Sequence, residues 1–177
     1  NFSLENNLIK DNIDLVYFPS PSLLFREIGN LPFVFTLFDL NFHSHNHYPE
    51  LSQNNEFLKR YGFYFEALNR AIKIIVCSKY LKNQVIQYYN ILPHRIEILP
   101  YLPNKPKFRA DSEVFFKKKY RLNHNYIFYP ATFYAHKNHI YVLKVLKYIN
   151  NVYGKNLNVY FVGSNPGLHS TFDFLKK

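Results

Sequence analysis

The chain has 177 residues, 47 % hydrophobic and 19 % aromatic, the aromatics being 18 Phe and 16 Tyr with no Trp. This excludes a disordered polymer, and the length suffices to bury one large core or two small ones. A formal net charge of +10 implies attraction to polyanions, whether nucleic acid, an anionic bilayer surface or phosphorylated small molecules, without choosing among them. No run is long enough to span a membrane and no leader is visible. With no Met even at position 1, the sequence reads as an internal piece of a longer protein.

In chain order, Asp14 to Phe18 predicts a short apolar strand stopped by Pro19 and Pro21, whose rings deny the ladder further donors. Pro32 introduces a second buried-type strand, Phe33 to Phe38, ending at Asp39. Leu40 to Pro49 reads as a long loop carrying His43, His45 and His47. Alternate imidazoles could suit zinc or copper, but with no cysteine nearby and no acid inside the triplet, polar loop histidines are the better reading. From Gln53 to Arg70 the spacing of Phe57, Tyr61, Tyr64 and Leu68 predicts one face of an amphipathic helix. Ile72 to Cys77 follows as a strand, and the single Cys77 reads as a buried core thiol in a reducing compartment. Ser78 is placed to cap a helix striped by Leu81, Val85 and Tyr88. It lacks the G-x-S-x-G surroundings of a nucleophile. Arg95 to Leu99 alternates as another strand.

Pro100, Pro103 and Pro106, with Asn104, Lys105 and Lys107 among them, look like a linker, and we place it over residues 100–111. Asp111 or Ser112 is then expected to cap a short helix through Phe115 to Tyr120. The stretch that organises the rest is Tyr126 to His139, YIFYPATFYAHKNH. Its apolar start predicts a strand buried on both faces. His136, Lys137 and Asn138 close a short loop, and Ile140, Leu143, Leu146 and Ile149 give the following helix one apolar face. Leu157 to Val162 is a further strand, running into Gly163, Ser164, Asn165, Pro166 and Gly167. Two loops leaving the carboxyl ends of adjacent parallel strands make a crevice for nucleotides. Lys137 stands where the helix dipole disfavours a cation, an objection a bound phosphate would remove. A solvated surface lysine is the competing reading.

The series TLFDL, HYPEL, FEALNRAIKIIVCSKYLKNQVIQYY, RIEILPYLP, YIFYPATFYAHKNH and LNVYFVGS resembles the middle of a group 1 (family 4) retaining glycosyltransferase of the GT-B fold, most similar to mannosyl- and rhamnosyltransferase-like members. The resemblance implies an α/β fold with parts of two Rossmann-like domains, their parallel sheets flanked by helices. Residues 1–99 would be the later half of an N-terminal, acceptor-side domain, and residues 112–177 the first half of a C-terminal, donor-binding one. It implies transfer of a hexose from a nucleotide-sugar to a glycan or lipid-linked acceptor, without a further cofactor. Lys137 takes the place of the lysine that grips the donor's phosphates and stabilises the departing nucleotide. Thr132 falls where many members have an arginine, and supplies a hydroxyl without charge. Gly163 matches a glycine that lets backbone approach a ligand. Asp39 matches an acidic position opening the acceptor-side loop, although Phe38 replaces the histidine that commonly precedes it, and a strand-end turn cap explains Asp39 equally well.

The family's paired acidic motif is absent, since no Glu follows Glu113, and the opening strand and glycine-rich loop of the N-terminal domain are missing too. The isolated chain is therefore expected to be inactive, with unpaired sheet edges and exposed apolar surface. No Asp-x-Asp pair is present, which agrees with a site that needs no metal. The basic balance fits a cytoplasmic protein held peripherally at the anionic inner face of a membrane. Two other classes stay open on the residues alone: a basic nucleic-acid-binding module using its aromatics for stacking, and a non-catalytic Rossmann-like partner protein. Against the first, the cations are spread along the chain and the aromatics sit at core spacings.

Overall fold

The computed structural model describes residues 3–102, 110–122 and 125–165. The expected linker falls largely outside them, as do Pro103, Asn104, Lys105, Pro106, Lys107, Pro166 and Gly167. In order, the elements are α1 (Ser3–Lys10), β1 (Val16–Phe18), β2 (Phe33–Leu37), α2 (Asn41–Ser44), α3 (Pro49–Ser52), α4 (Glu56–Arg70), β3 (Lys73–Val76), α5 (Lys79–Tyr89), β4 (Ile96–Ile98), α6 (Ala110–Tyr120), β5 (Tyr126–Pro130), α7 (His139–Tyr153) and β6 (Asn158–Val162), with short 3-10 turns between some of them. The fold is α/β, with parallel sheets flanked by helices. The chain divides into two compact units: Asn1–His47 with Leu51–Pro103, and Tyr48–Glu50 with Asn104–Lys177.

The first unit holds a four-stranded parallel sheet in the order β1-β2-β3-β4. Val16 lies opposite Phe33, Phe35 opposite Ile74, and Ile74 opposite Ile96. The central strand β2 is the most apolar because it is covered on both faces: Phe33, Phe35, Thr36 and Leu37 are buried. Phe25 and Phe63 pack on Phe35, ring centres 6.1 Å away in each case. The Ser78 cap is as expected, its hydroxyl accepting from the Leu81 N–H at 3.2 Å. Arg95 ties the sheet to the end of α4, donating from one guanidinium nitrogen to the carbonyls of Leu68 (2.9 Å), Asn69 (3.0 Å) and Ala71.

Four expectations need correction here. The segment Leu40 to Pro49 is not one long loop, because Phe42 is buried and draws Asn41–Ser44 into a helical turn. The helix expected from Gln53 starts at Glu56, since Asn54 and Asn55 both have positive φ and break it. In α5 the fully packed tyrosine is Tyr89, with Tyr88 half-buried. Cys77 is only half-buried.

The second unit contains β5 and β6, parallel and in register from Tyr126 opposite Asn158 to Pro130 opposite Val162, joined by α7. The prediction of a strand buried on both faces fails for β5: Tyr126, Ile127 and Phe128 are exposed. Apolarity reports what a strand could bury, and among the described residues β6 is its single strand neighbour. Helix α6 already includes Asp111 and Ser112, so neither is its cap.

Candidate functional site

The β5–β6 ladder does not end with the strands. The Ala131 N–H donates to the Val162 carbonyl at 3.0 Å and the Phe133 N–H to the Ser164 carbonyl at 3.2 Å. This zippering sets the Thr132 hydroxyl 3.2 Å from that of Ser164. Gly163 is required by the same approach. A Cβ there would press into the Ala131 carbonyl and lie 2.9 Å from the Thr132 nitrogen. The absent side chain thus makes room for the neighbouring loop's own backbone. Thr132 and Gly163, 31 positions apart on the chain, meet at the carboxyl ends of the two strands.

Beyond Thr132 the chain makes a 3-10 turn over Ala135–Lys137 and enters α7. Asn138 stands in the left-handed region (φ 53°), and its side chain caps the helix by accepting from the Tyr141 N–H at 3.2 Å. Lys137 therefore precedes the cap and is not in the first helical turn. Its backbone is anchored by the Tyr129 hydroxyl, which donates to the Lys137 carbonyl at 2.6 Å. Its side chain is exposed. The loop is backed by His139, which is fully buried. The His139 ring stacks on Phe133 with centres 4.7 Å apart and meets the edges of Tyr129 and Phe161. Since a carbonyl only accepts, His139 Nε2 carries the proton it shares with the Ala131 oxygen at 3.3 Å. Burial holds the His139 pKa below its ordinary value, outweighing that hydrogen bond.

One pairing within the second unit has no signature in the local sequence. Glu50 Oε1 accepts from the His136 N–H at 3.0 Å and from His136 Nδ1 at 2.6 Å. The two residues are 86 positions apart, and no local pattern could have joined them.

In the first unit, Asp39 Oδ1 accepts from the Asn41 N–H at 3.0 Å, the turn geometry that starts α2. Burial pushes the Tyr64 phenol up to about 12, with the Asp39 charge adding to the shift. His43 is not a loop histidine awaiting a ligand. It lies flat on Tyr88, centres 4.2 Å apart and planes 8° apart, and its Nε2 is 3.1 Å from the Tyr89 hydroxyl. Among the described residues, no group of three or more His, Cys, Asp or Glu is placed to hold a metal, and no helix is long and apolar enough to cross a membrane.

Residues 1–101 match the sequence profile described as Glycosyltransferase Family 4. No curated protein matches the chain. The profile covers the four-stranded sheet and stops short of the loop that carries Thr132 and Lys137.

Proposed function

The chain belongs to glycosyltransferase family 4, and from that membership we propose that it serves the transfer of a mannose- or rhamnose-like hexose, with retention, from a nucleotide-sugar to a glycan or lipid-linked acceptor. Residues 1–99 form the acceptor-side part, and residues 112–177 the donor-binding part. Lys137 neutralises the donor's diphosphate and the charge that grows on it as the sugar leaves. Thr132 offers a hydroxyl to a phosphate oxygen, the backbone at Gly163 lines the same crevice, and Asp39 contacts the acceptor. No further cofactor is needed, the nucleotide-sugar itself being a substrate.

The observation that supports this reading best is the junction of two parallel-strand ends, at Thr132 and Gly163, beside an exposed lysine that precedes a 15-residue helix. A lysine in the loop that leaves such a junction can offer its charge to a phosphate. The net charge of +10 supports a cytoplasmic placement in peripheral contact with an anionic membrane face. The test is calorimetric titration with nucleoside diphosphates. Binding weakened about tenfold or more by Lys137→Ala is expected. Indifference to nucleoside diphosphates, together with salt-dependent binding of an oligonucleotide, would reject the reading.

A further inference from the structure

Glu50 and His136 form a built pair. The Glu50 side chain is 6 % exposed and that of His136 26 % exposed. One carboxylate oxygen, Oε1, takes both the backbone and the ring proton of His136, while Oε2 is buried without a protein partner among the described residues. The imidazole is held from its faces as well: Tyr134 stacks on it at 5.5 Å with planes 18° apart, and Tyr48 meets it at 6.1 Å. Burial of the Glu50 carboxyl works to raise its pKa, but the hydrogen bonds from the His136 backbone and ring and from the Glu50 backbone N–H, together with the attraction of His136, outweigh this and the net shift is downward. The carboxylate is therefore a pure acceptor, and Nδ1 must carry the ring proton. In the neutral ring this leaves a lone pair on Nε2, which has no protein partner among the described residues.

We propose that Glu50 fixes His136 so that its Nε2 accepts a hydrogen bond from a hydroxyl of the bound nucleotide-sugar. This rests on the placement of the diphosphate at Lys137, the next residue. A lone pair cannot bind a phosphate that has no proton to donate. The groups that flank a diphosphate in such a ligand, a pyranose on one side and a ribose on the other, are rich in hydroxyl donors. A carboxylate that sets a histidine tautomer through Nδ1 is a recurring way of orienting an acceptor nitrogen. His136 would thus read the sugar while Lys137 holds the charge, and Glu50 is a positioning residue.

Two measurements decide the matter. The first uses the unsubstituted chain: ¹⁵N shifts of the neutral His136 ring are expected to report the proton on Nδ1 and none on Nε2. The opposite tautomer overturns the proposal. The second compares affinities for pyrophosphate, for GDP, dTDP and UDP, and for GDP-mannose, dTDP-rhamnose and UDP-glucose. His136→Ala is expected to weaken hydroxyl-bearing ligands about three- to tenfold and leave pyrophosphate unchanged. A loss confined to the nucleotide-sugars identifies the pyranose, and an equal loss with the free nucleotides identifies the ribose. Partial rescue is expected from His136→Gln, whose amide oxygen can accept, and Glu50→Ala should reproduce part of the loss while releasing the tautomer. Unchanged affinities in His136→Ala, or pyrophosphate weakened as much as the rest, overturn the pairing while leaving the Lys137 reading intact. If the unsubstituted chain binds none of these ligands, both fall together.

Discussion

The carbonyl of Ala131 occupies the space that a side chain on Gly163 would need. One residue later on each of the two segments, the Thr132 and Ser164 hydroxyls are 3.2 Å apart. Any Cβ at Gly163 must push the β5 loop away, and the obstacle is backbone, which cannot rotate aside. Gly163→Ala is expected to destabilise the chain by about 1–3 kcal/mol, as overpacking does, and to weaken nucleoside diphosphate binding along with it. Urea denaturation and titration of the same sample check both. An unchanged denaturation midpoint would show that the two loops part freely.

Asn138 combines a left-handed backbone with a helix cap. Asn138→Ala loses the cap and keeps the conformational strain, so a loss of about 1–2 kcal/mol is expected. Asn138→Gly relieves the strain and should cost only a few tenths of a kcal/mol. Equal losses for the two variants would mean that the backbone conformation at this position is not what the cap requires.

Arg95 gathers three carbonyls at the end of α4 onto one guanidinium. Arg95→Ala leaves those acceptors without their charged donor, and a loss of about 1.5–3 kcal/mol is expected. Arg95→Lys should recover only part of it, because an ammonium does not reproduce the planar fork. Thermal or urea unfolding of the two variants measures the difference.

Burial lowers the pKa of both His43 and His139 in the folded chain. Below the ordinary histidine value of about 6.5, the unfolded chain takes up protons that the folded chain refuses, so stability falls with falling pH. The contribution is complete above that value and declines until the folded-state pKa values are passed. Urea midpoints at pH 7.5 and 5.5 should differ, and His43→Phe should shrink the difference while His139 keeps the remainder. A midpoint that rises on acidification over this range would contradict the sign.

A further decline is expected in more acidic solution. Glu5 accepts from the N–H groups of Leu31 (2.9 Å) and Asn30 (2.5 Å), and these bonds hold its pKa below the usual glutamate value. The stability it contributes is present above about pH 4.5 and is lost as pH falls through the lowered folded-state value. Glu5→Gln should flatten the stability profile there, and an unaltered acid limb would refute the assignment.

Much of the architecture was set by local chemistry. Apolar runs bounded by proline marked β1 and β2, and Ser78 announced the start of α5, because strand burial and helix capping act over a few neighbouring residues. Thr132 and Gly163 were singled out through the family resemblance, and both follow closely on strand ends, since parallel strands joined by a helix must open their loops on the same side. Tertiary structure decided the rest. His43 became a packing residue because Tyr88 and Tyr89, more than forty positions later, supply its stacking face and hydroxyl partner. Exposure of β5 depends on which neighbours cover it, a property that its own residues do not encode. The pairing of Glu50 with His136 arises from folding alone: a hydrogen bond of 2.6 Å between distant residues is fixed by where the backbone brings them, and sequence spacing carries no information about that distance.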